Sequence, residues 1–205
     1  DTLSVAIYNL DLSPATFFIK DMGYYFSAVT DGHAELISGT KEKILKGLLR
    51  VQDLKVLDDY LGDCSISSTY DKDSSRLMLD VDLDDGTRPV TGFYSLKDRI
   101  LDLHTVFPKF KLKYLMPIFK GTLVDMEGTA DSKIHFQLIK GKIPVLNGTA
   151  RIEDFATTVS ATRARYWFSA DIDLKDNHIS TPRGIVRDMD GNTAVLSGFF
   201  YSYNF

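Results

Sequence analysis

Leu77-Met78-Leu79-Asp80-Val81-Asp82-Leu83-Asp84 decides the fold class. Leu77, Leu79, Val81 and Leu83 alternate with Met78, Asp80, Asp82 and Asp84, the period of a strand with one dry face and one wet face. The same period returns where Ile134, Phe136 and Leu138 alternate with His135 and Gln137. It returns again where Phe168, Ala170, Ile172 and Leu174 alternate with Ser169, Asp171 and Asp173. Asp84-Asp85-Gly86, Asp176-Asn177 and Asp190-Gly191-Asn192 supply the turns between such runs. The pattern predicts a mainly β, antiparallel protein.

The chain also repeats itself. Gly32-His33-Ala34 is answered by Gly128-Thr129-Ala130, and Leu45 to Leu54, around Gly47, by Leu146 to Phe155, around Gly148. Val90-Thr91-Gly92-Phe93-Tyr94 is answered by Leu196-Ser197-Gly198-Phe199-Phe200. The offsets, 128−32=96, 148−47=101 and 198−92=106, grow by short steps of the kind absorbed in turns. Two related units follow, residues 1–105 and 106–205, expected to form one continuous structure. Gly47 and Gly148, each on an apolar strand face, predict bulges or bends.

Two stretches break the alternation. Ser13-Pro14 followed by Thr16 to Phe26, and Pro108 to Val124 with Phe110, Tyr114, Leu115, Ile118, Phe119 and Leu123, space apolar residues by three and four. Both read as short amphipathic helices, near 14–28 and 108–124, the second divided at Pro117.

Composition excludes several classes. With 24 Lys plus Arg against 28 Asp plus Glu, the chain lacks the basic footprint of a nucleic-acid binder. The single cysteine, Cys64, permits neither an internal disulfide nor a thiol-based zinc site, and reads as a small buried hydrophobe. His33, His104, His135 and His178 lie far apart without paired ligand spacing, and no nucleophile elbow, phosphate loop or dinucleotide fingerprint occurs. No enzymatic activity, metal or cofactor is therefore expected. Asp80, Asp82 and Asp84 stand about 6.6 Å apart along a strand, too far to share a calcium ion, and read as a solvated face. Lys109, Lys111 and Lys113 read as the wet side of the second helix. Asn147-Gly148-Thr149, formally a glycosylation acceptor, reads as strand and turn. No stretch approaches the roughly 18 apolar residues of a membrane helix. Beginning at Asp1, the sequence reads as a piece of something longer, with an edge strand expected at each end and self-association by edge pairing.

The order of phrases carries a resemblance. Tyr114-Leu115, Gly128-Thr129-Ala130, Pro144-Val145-Leu146-Asn147-Gly148, Arg165-Tyr166 and the run Asp188-Met189-Asp190-Gly191-Asn192-Thr193-Ala194-Val195-Leu196-Ser197-Gly198 resemble the TamB-type translocation and assembly modules of Gram-negative bacteria, within the AsmA-like, bridge-like lipid-transfer group. The most specific phrase is D-x-x-G-N-x-A-x-L-x-G. The chain departs from the family at Phe199-Phe200-Tyr201, where a His is common. The resemblance implies a curved, elongated sheet, the β-taco, forming an apolar trough in an envelope-spanning periplasmic protein anchored in the inner membrane. It implies an Omp85-type outer-membrane partner, phospholipid acyl chains as cargo, and a role in lipid transport or outer-membrane protein assembly.

The candidate trough residues are Leu77, Leu79, Val81, Leu83, Ile134, Phe136, Leu138, Phe168, Ile172 and Leu174. Two other readings share the same strands. One is a sealed β-sandwich on a cell surface that recognises protein or glycan; the other offers a free edge to nascent barrel strands.

Overall fold

In a computed structural model, residues 2–18, 21, 23–38, 43–176 and 178–201 are described. Twelve strands form one sheet: β1 (Thr2–Asp11), β2 (Phe26–Ser38), β3 (Lys43–Val56), β4 (Asp59–Asp71), β5 (Arg76–Leu83), β6 (Val90–Ser95), β7 (Ile100–Lys111), β8 (Leu123–Ile139), β9 (Val145–Val159), β10 (Ala164–Lys175), β11 (His178–Arg187) and β12 (Thr193–Tyr201). Their order in the sheet is their order in the chain. The ladders from β1 to β6 and from β9 to β12 are antiparallel. The mainly β, antiparallel expectation holds. The described strands form a single sheet.

Two compact units divide the chain: Asp1–His104 with Gln137–Pro144, and Thr105–Phe136 with Val145–Phe205.

The two expected helices are not formed. Among the described residues there is no α-helix, only short 3₁₀ segments such as Ser13–Phe18 and Leu112–Leu115. Residues 26–28, placed in the first expected helix, begin β2, and residues 108–111, placed in the second, end β7. Residues 19, 20 and 22 of the first lie outside the described residues. A bulge explains the second error. Lys109 takes φ 52°, and one extra residue in a strand turns a spacing of two into a spacing of three. Phe107 and Phe110 thus meet within the second unit, ring centroids 5.9 Å apart, on a strand whose sequence mimics helical periodicity. Lys109 and Lys111 accordingly belong to β7 and not to a helix.

The same device exposes the repeat. Asn9 on β1 has φ 51°, and its N–H donates to Asp31 Oδ1 on β2 at 2.7 Å. On β7 the Lys109 N–H donates to Asp131 Oδ1 on β8 at 2.8 Å. Both donors and both acceptors are 100 residues apart (109−9 and 131−31), which replaces the offset of 96 read from Gly32 and Gly128. Asp53 and Asp154, with φ 52° and 50°, mark a second matched bulge at the offset of 101 carried by Gly47 and Gly148.

Little of the chain is sealed. Among the described residues fully buried apolar side chains are few, and in the first unit Ala28, Val51 and Cys64 form the cluster, backed by Leu12, Leu54, Ile66, Val81 and Leu83.

Candidate functional site: a one-sided apolar face

Residues paired across a ladder project to the same side of a sheet. In the first unit the registers therefore assemble one face from four rungs. Leu10, Thr30, Val51, Cys64 and Leu83 form the first, and Ile7, Gly32, Leu49, Ile66, Val81 and Val90 the second. Val5, Ala34, Gly47, Ser68, Leu79 and Gly92 form the third. The fourth joins Leu3 with Leu36 and Leu45, and Tyr70 with Leu77 and Tyr94. The opposite face of the same strands carries Asp31, Arg50, Ser65 and Asp82, then His33, Leu48, Ser67, Asp80 and Thr91, and on the next rung Glu35, Lys46, Thr69, Met78 and Phe93. Apolar intrusions there are shielded at one point by charge: Arg76 lies 4.0 Å over the Phe93 ring.

Burial changes along the apolar face. At the first rung Thr30 is 1% exposed and Val51 4%, and the Thr30 hydroxyl donates to the Arg50 carbonyl at 2.9 Å, so its polar atom costs nothing. At the fourth rung Leu3 is 62% exposed, and on the third Val5 is 51%. On the inner strands the first rung is buried and the fourth, with Leu36 39% and Leu45 37% exposed, is open; along the β1 edge Leu10, at 46%, is exposed as well.

Leu77, Leu79, Val81 and Leu83 all belong to this face, half-buried. Sequence reading missed its β1 contribution, Leu3, Val5, Ile7 and Leu10. The alternation Leu3, Val5, Ile7 was available, but the bulge at Tyr8 and Asn9 breaks it before Leu10.

In the second unit Phe168 shares a rung with Phe155 and Val186, Ala170 with Ile152 and Gly184, and Leu174 with Gly148 and Ile179. Ile172 pairs with Ala150. Phe168, Ile172, Ile179 and Leu196 border an apolar groove of about 310 Å³, and the Phe155 and Phe168 rings meet edge to face at 6.4 Å. Ile134 joins through Gly148, whose missing side chain leaves room for the Lys133 peptide and the Ile134 Cα; a Cβ there would lie 2.9 Å from that Cα. Ile134, Phe136 and Leu138 lie on β8, each half-buried. The other face of β10–β12 is mixed, with Trp167, Ile185 and Val195 beside Arg187 and Arg183.

The acidic residues flanking the leucines have a partner that sequence reading missed. Arg88 Nε donates to Asp82 Oδ1 at 2.7 Å, and its guanidinium lies 3.7 Å from Asp80. That hydrogen bond and the two carboxylates raise the Arg88 pKa. Burial first, then Asp63 and Asp84, push the Cys64 thiol up, which suits a core residue and not a nucleophile. Asn147 stands in β9, its side-chain carbonyl accepting from the Asp176 N–H at 2.7 Å.

The phrase Asp188 to Gly198 acquires a local reason. Asp188 Oδ1 accepts from the N–H groups of Asp190 and Asn192 at 3.0 and 2.8 Å, and Oδ2 from the Asn192 side chain at 2.8 Å. Gly191 supplies φ 83°. Asp, Gly and Asn at these positions build the β11–β12 turn.

Physically, such a face can take up an aliphatic chain along its rungs, with no requirement for a polar anchor. Comparison with protein-family models, with curated proteins and with solved structures gives no match.

Proposed function

We propose that this chain is a non-catalytic scaffold segment whose apolar face carries phospholipid acyl chains. The observation that carries the reading is the sorting of side chains in the first unit. Four rungs of apolar residues share one face while the aspartates and arginines of the same strands share the other, and the apolar face stays open at its Leu3 and Leu77 end. Each methylene withdrawn from water is worth about 0.8 kcal/mol, so a chain of several carbons along the rungs offsets its own ordering.

The resemblance to TamB-type modules supplies the setting. In this reading the sheet is a β-taco trough in the periplasm, part of a protein anchored in the inner membrane and reaching an Omp85-type partner. It moves phospholipid between the membranes, or assists outer-membrane protein assembly.

Photo-crosslinking in cells tests it. A crosslinking residue at Leu79 is expected to give phospholipid adducts, and one at Asp80, on the opposite face, none. Equal labelling at both, or none at Leu79 in folded protein, would remove the lipid reading.

A further inference from the structure

We propose that the basic turn end of the first unit docks onto an anionic lipid bilayer. Three turns make that end: 72–75 between β4 and β5, 96–99 between β6 and β7, and 140–144 between β8 and β9. Backbone hydrogen bonds join them side by side, the Leu96 N–H donating to the Ser75 carbonyl at 3.1 Å and the Lys140 N–H to the Arg99 carbonyl at 3.2 Å. All three lie within the first unit. With the residues bordering them they carry Lys72, Arg76, Lys97, Arg99, Lys140 and Lys142 against Asp71, Asp73 and Asp98, a net charge of 6−3=+3 in a chain whose total is -4. Two of the three acids are engaged in the turns themselves. Asp71 accepts from the Asp73 N–H and the Ser74 hydroxyl at 3.1 and 2.6 Å, and Asp98 from the Ser95 hydroxyl at 2.8 Å. Lys97, Arg99, Lys140 and Lys142 form no ion pair among the described residues.

The opposite end of the same strands has the other sign. Turns 57–58 and 84–89 hold Asp58, Asp84 and Asp85 against Arg88 alone, and Arg88 is held by Asp82 at 2.7 Å. An anionic surface is therefore attracted to one end only. Bare aliphatic side chains stand among the cations at that end: Leu96, beside Lys97, is 53% exposed, and Ile143, beside Lys142, is 64% exposed. Such a pair suits the boundary of a bilayer, where the aliphatic group enters the hydrocarbon and the ammonium stays with the phosphates. A soluble acidic partner would use the lysines and leave Leu96 and Ile143 in water. The rung nearest these turns holds Tyr70, Leu77 and Tyr94, and tyrosine rings settle at the level of lipid headgroups. Docking in this sense sets the open fourth rung against the membrane, so that an acyl chain passes onto the apolar face without crossing water. That consequence rests on the lipid reading, whereas the docking itself rests on charge and on the two bare aliphatic residues.

Flotation of the 205-residue chain with vesicles tests the docking. The chain should bind vesicles of equal parts phosphatidylglycerol and phosphatidylcholine, release them as salt rises, and ignore phosphatidylcholine alone. Each cation near an anionic surface contributes about fivefold, so Lys97→Gln with Lys142→Gln should weaken binding about twentyfold, while Lys55→Gln, at the other end, leaves it unchanged. Leu96→Ser with Ile143→Ser should weaken it about tenfold, with circular dichroism unchanged throughout. In a Cys64→Ala background, an environment-sensitive fluorophore should shift to the blue on the anionic vesicles when attached at Ile143→Cys and not at Lys55→Cys. A chain that ignores the anionic vesicles, one that binds them equally after either pair is replaced, or a fluorophore that shifts alike at both ends would overturn the docking. Failure of the lipid reading looks different: vesicle binding stays intact, and no phospholipid adduct forms at Leu79.

Discussion

The β6 and β12 glycines are the same residue in two neighbourhoods. Gly92 is pressed by the Asp102–Leu103 peptide, and Gly198 faces open space. The bulge clamps, by contrast, agree closely between the units: 2.7 Å at Asn9 and Asp31, 2.8 Å at Lys109 and Asp131. Local devices written into the sequence are reproduced, while burial depends on what lies alongside. A similar difference runs along the first unit's face, where Val51 is buried and Leu3 exposed although both are aliphatic.

The largest effect is expected at the glycines. Gly92→Val forces a side chain into backbone and should cost roughly 3 kcal/mol or more, whereas Gly198→Val should leave stability within about 0.5 kcal/mol. Urea melts of both variants check this, and equal losses would break the comparison. Next, Val51→Ala should cost on the order of 2 kcal/mol through lost burial and a cavity, and Leu3→Ala should stay within about 0.5 kcal/mol. If Leu3→Ala costs as much, the face is covered at that end too.

Asp31→Ala and Asp131→Ala should each cost about 1 kcal/mol by orphaning a bulge N–H. Similar losses in both would support matched clamps, and a loss in one alone would weaken the repeat. The smallest effect concerns pH. The hydrogen bond from the Asn192 side chain, helped by the backbone N–H groups of Asn192, Asp190 and Gly191, holds Asp188 below its ordinary pKa. A carboxylate whose folded pKa is depressed stabilises above its unfolded pKa, and that stability is lost as pH falls through the folded value. Acid unfolding of Asp188→Asn should therefore be flatter than wild type below the ordinary carboxylate range, with the signal confined to the β11–β12 turn by hydrogen exchange.

Much of this architecture was legible in the residues. Alternation placed β5, the Ile134 to Leu138 part of β8, and β10, because their dry faces are uninterrupted over several residues. It failed where the backbone inserts a residue. Ile7 and Leu10, like Phe107 and Phe110, are three apart because of the bulges at Asn9 and Lys109, and on β7 that spacing, continued by Tyr114 and Ile118, imitates a helix. The bulges themselves leave a faint trace, an Asp 22 residues downstream in both cases, recognisable once the strands are paired. For the apolar face, the leucines of β5 were readable from their own strand. Their neighbours Ile66 on β4 and Leu3 on β1 were not, since register is set by long-range pairing and Ile66 stands among serines and threonines.

The central claim is that the first unit's apolar face, and not the opposite face of the same strands, accepts an acyl chain. Methyl NMR of the chain titrated with a stearic acid carrying a paramagnetic label near its tail measures this directly. The account predicts selective broadening of the Leu49, Ile66, Leu79 and Val81 methyls, strongest from the Leu77 end inward, while the Thr69 and Thr91 methyls on the other face stay sharp. Equal broadening on both faces, or none at saturating label, would contradict it.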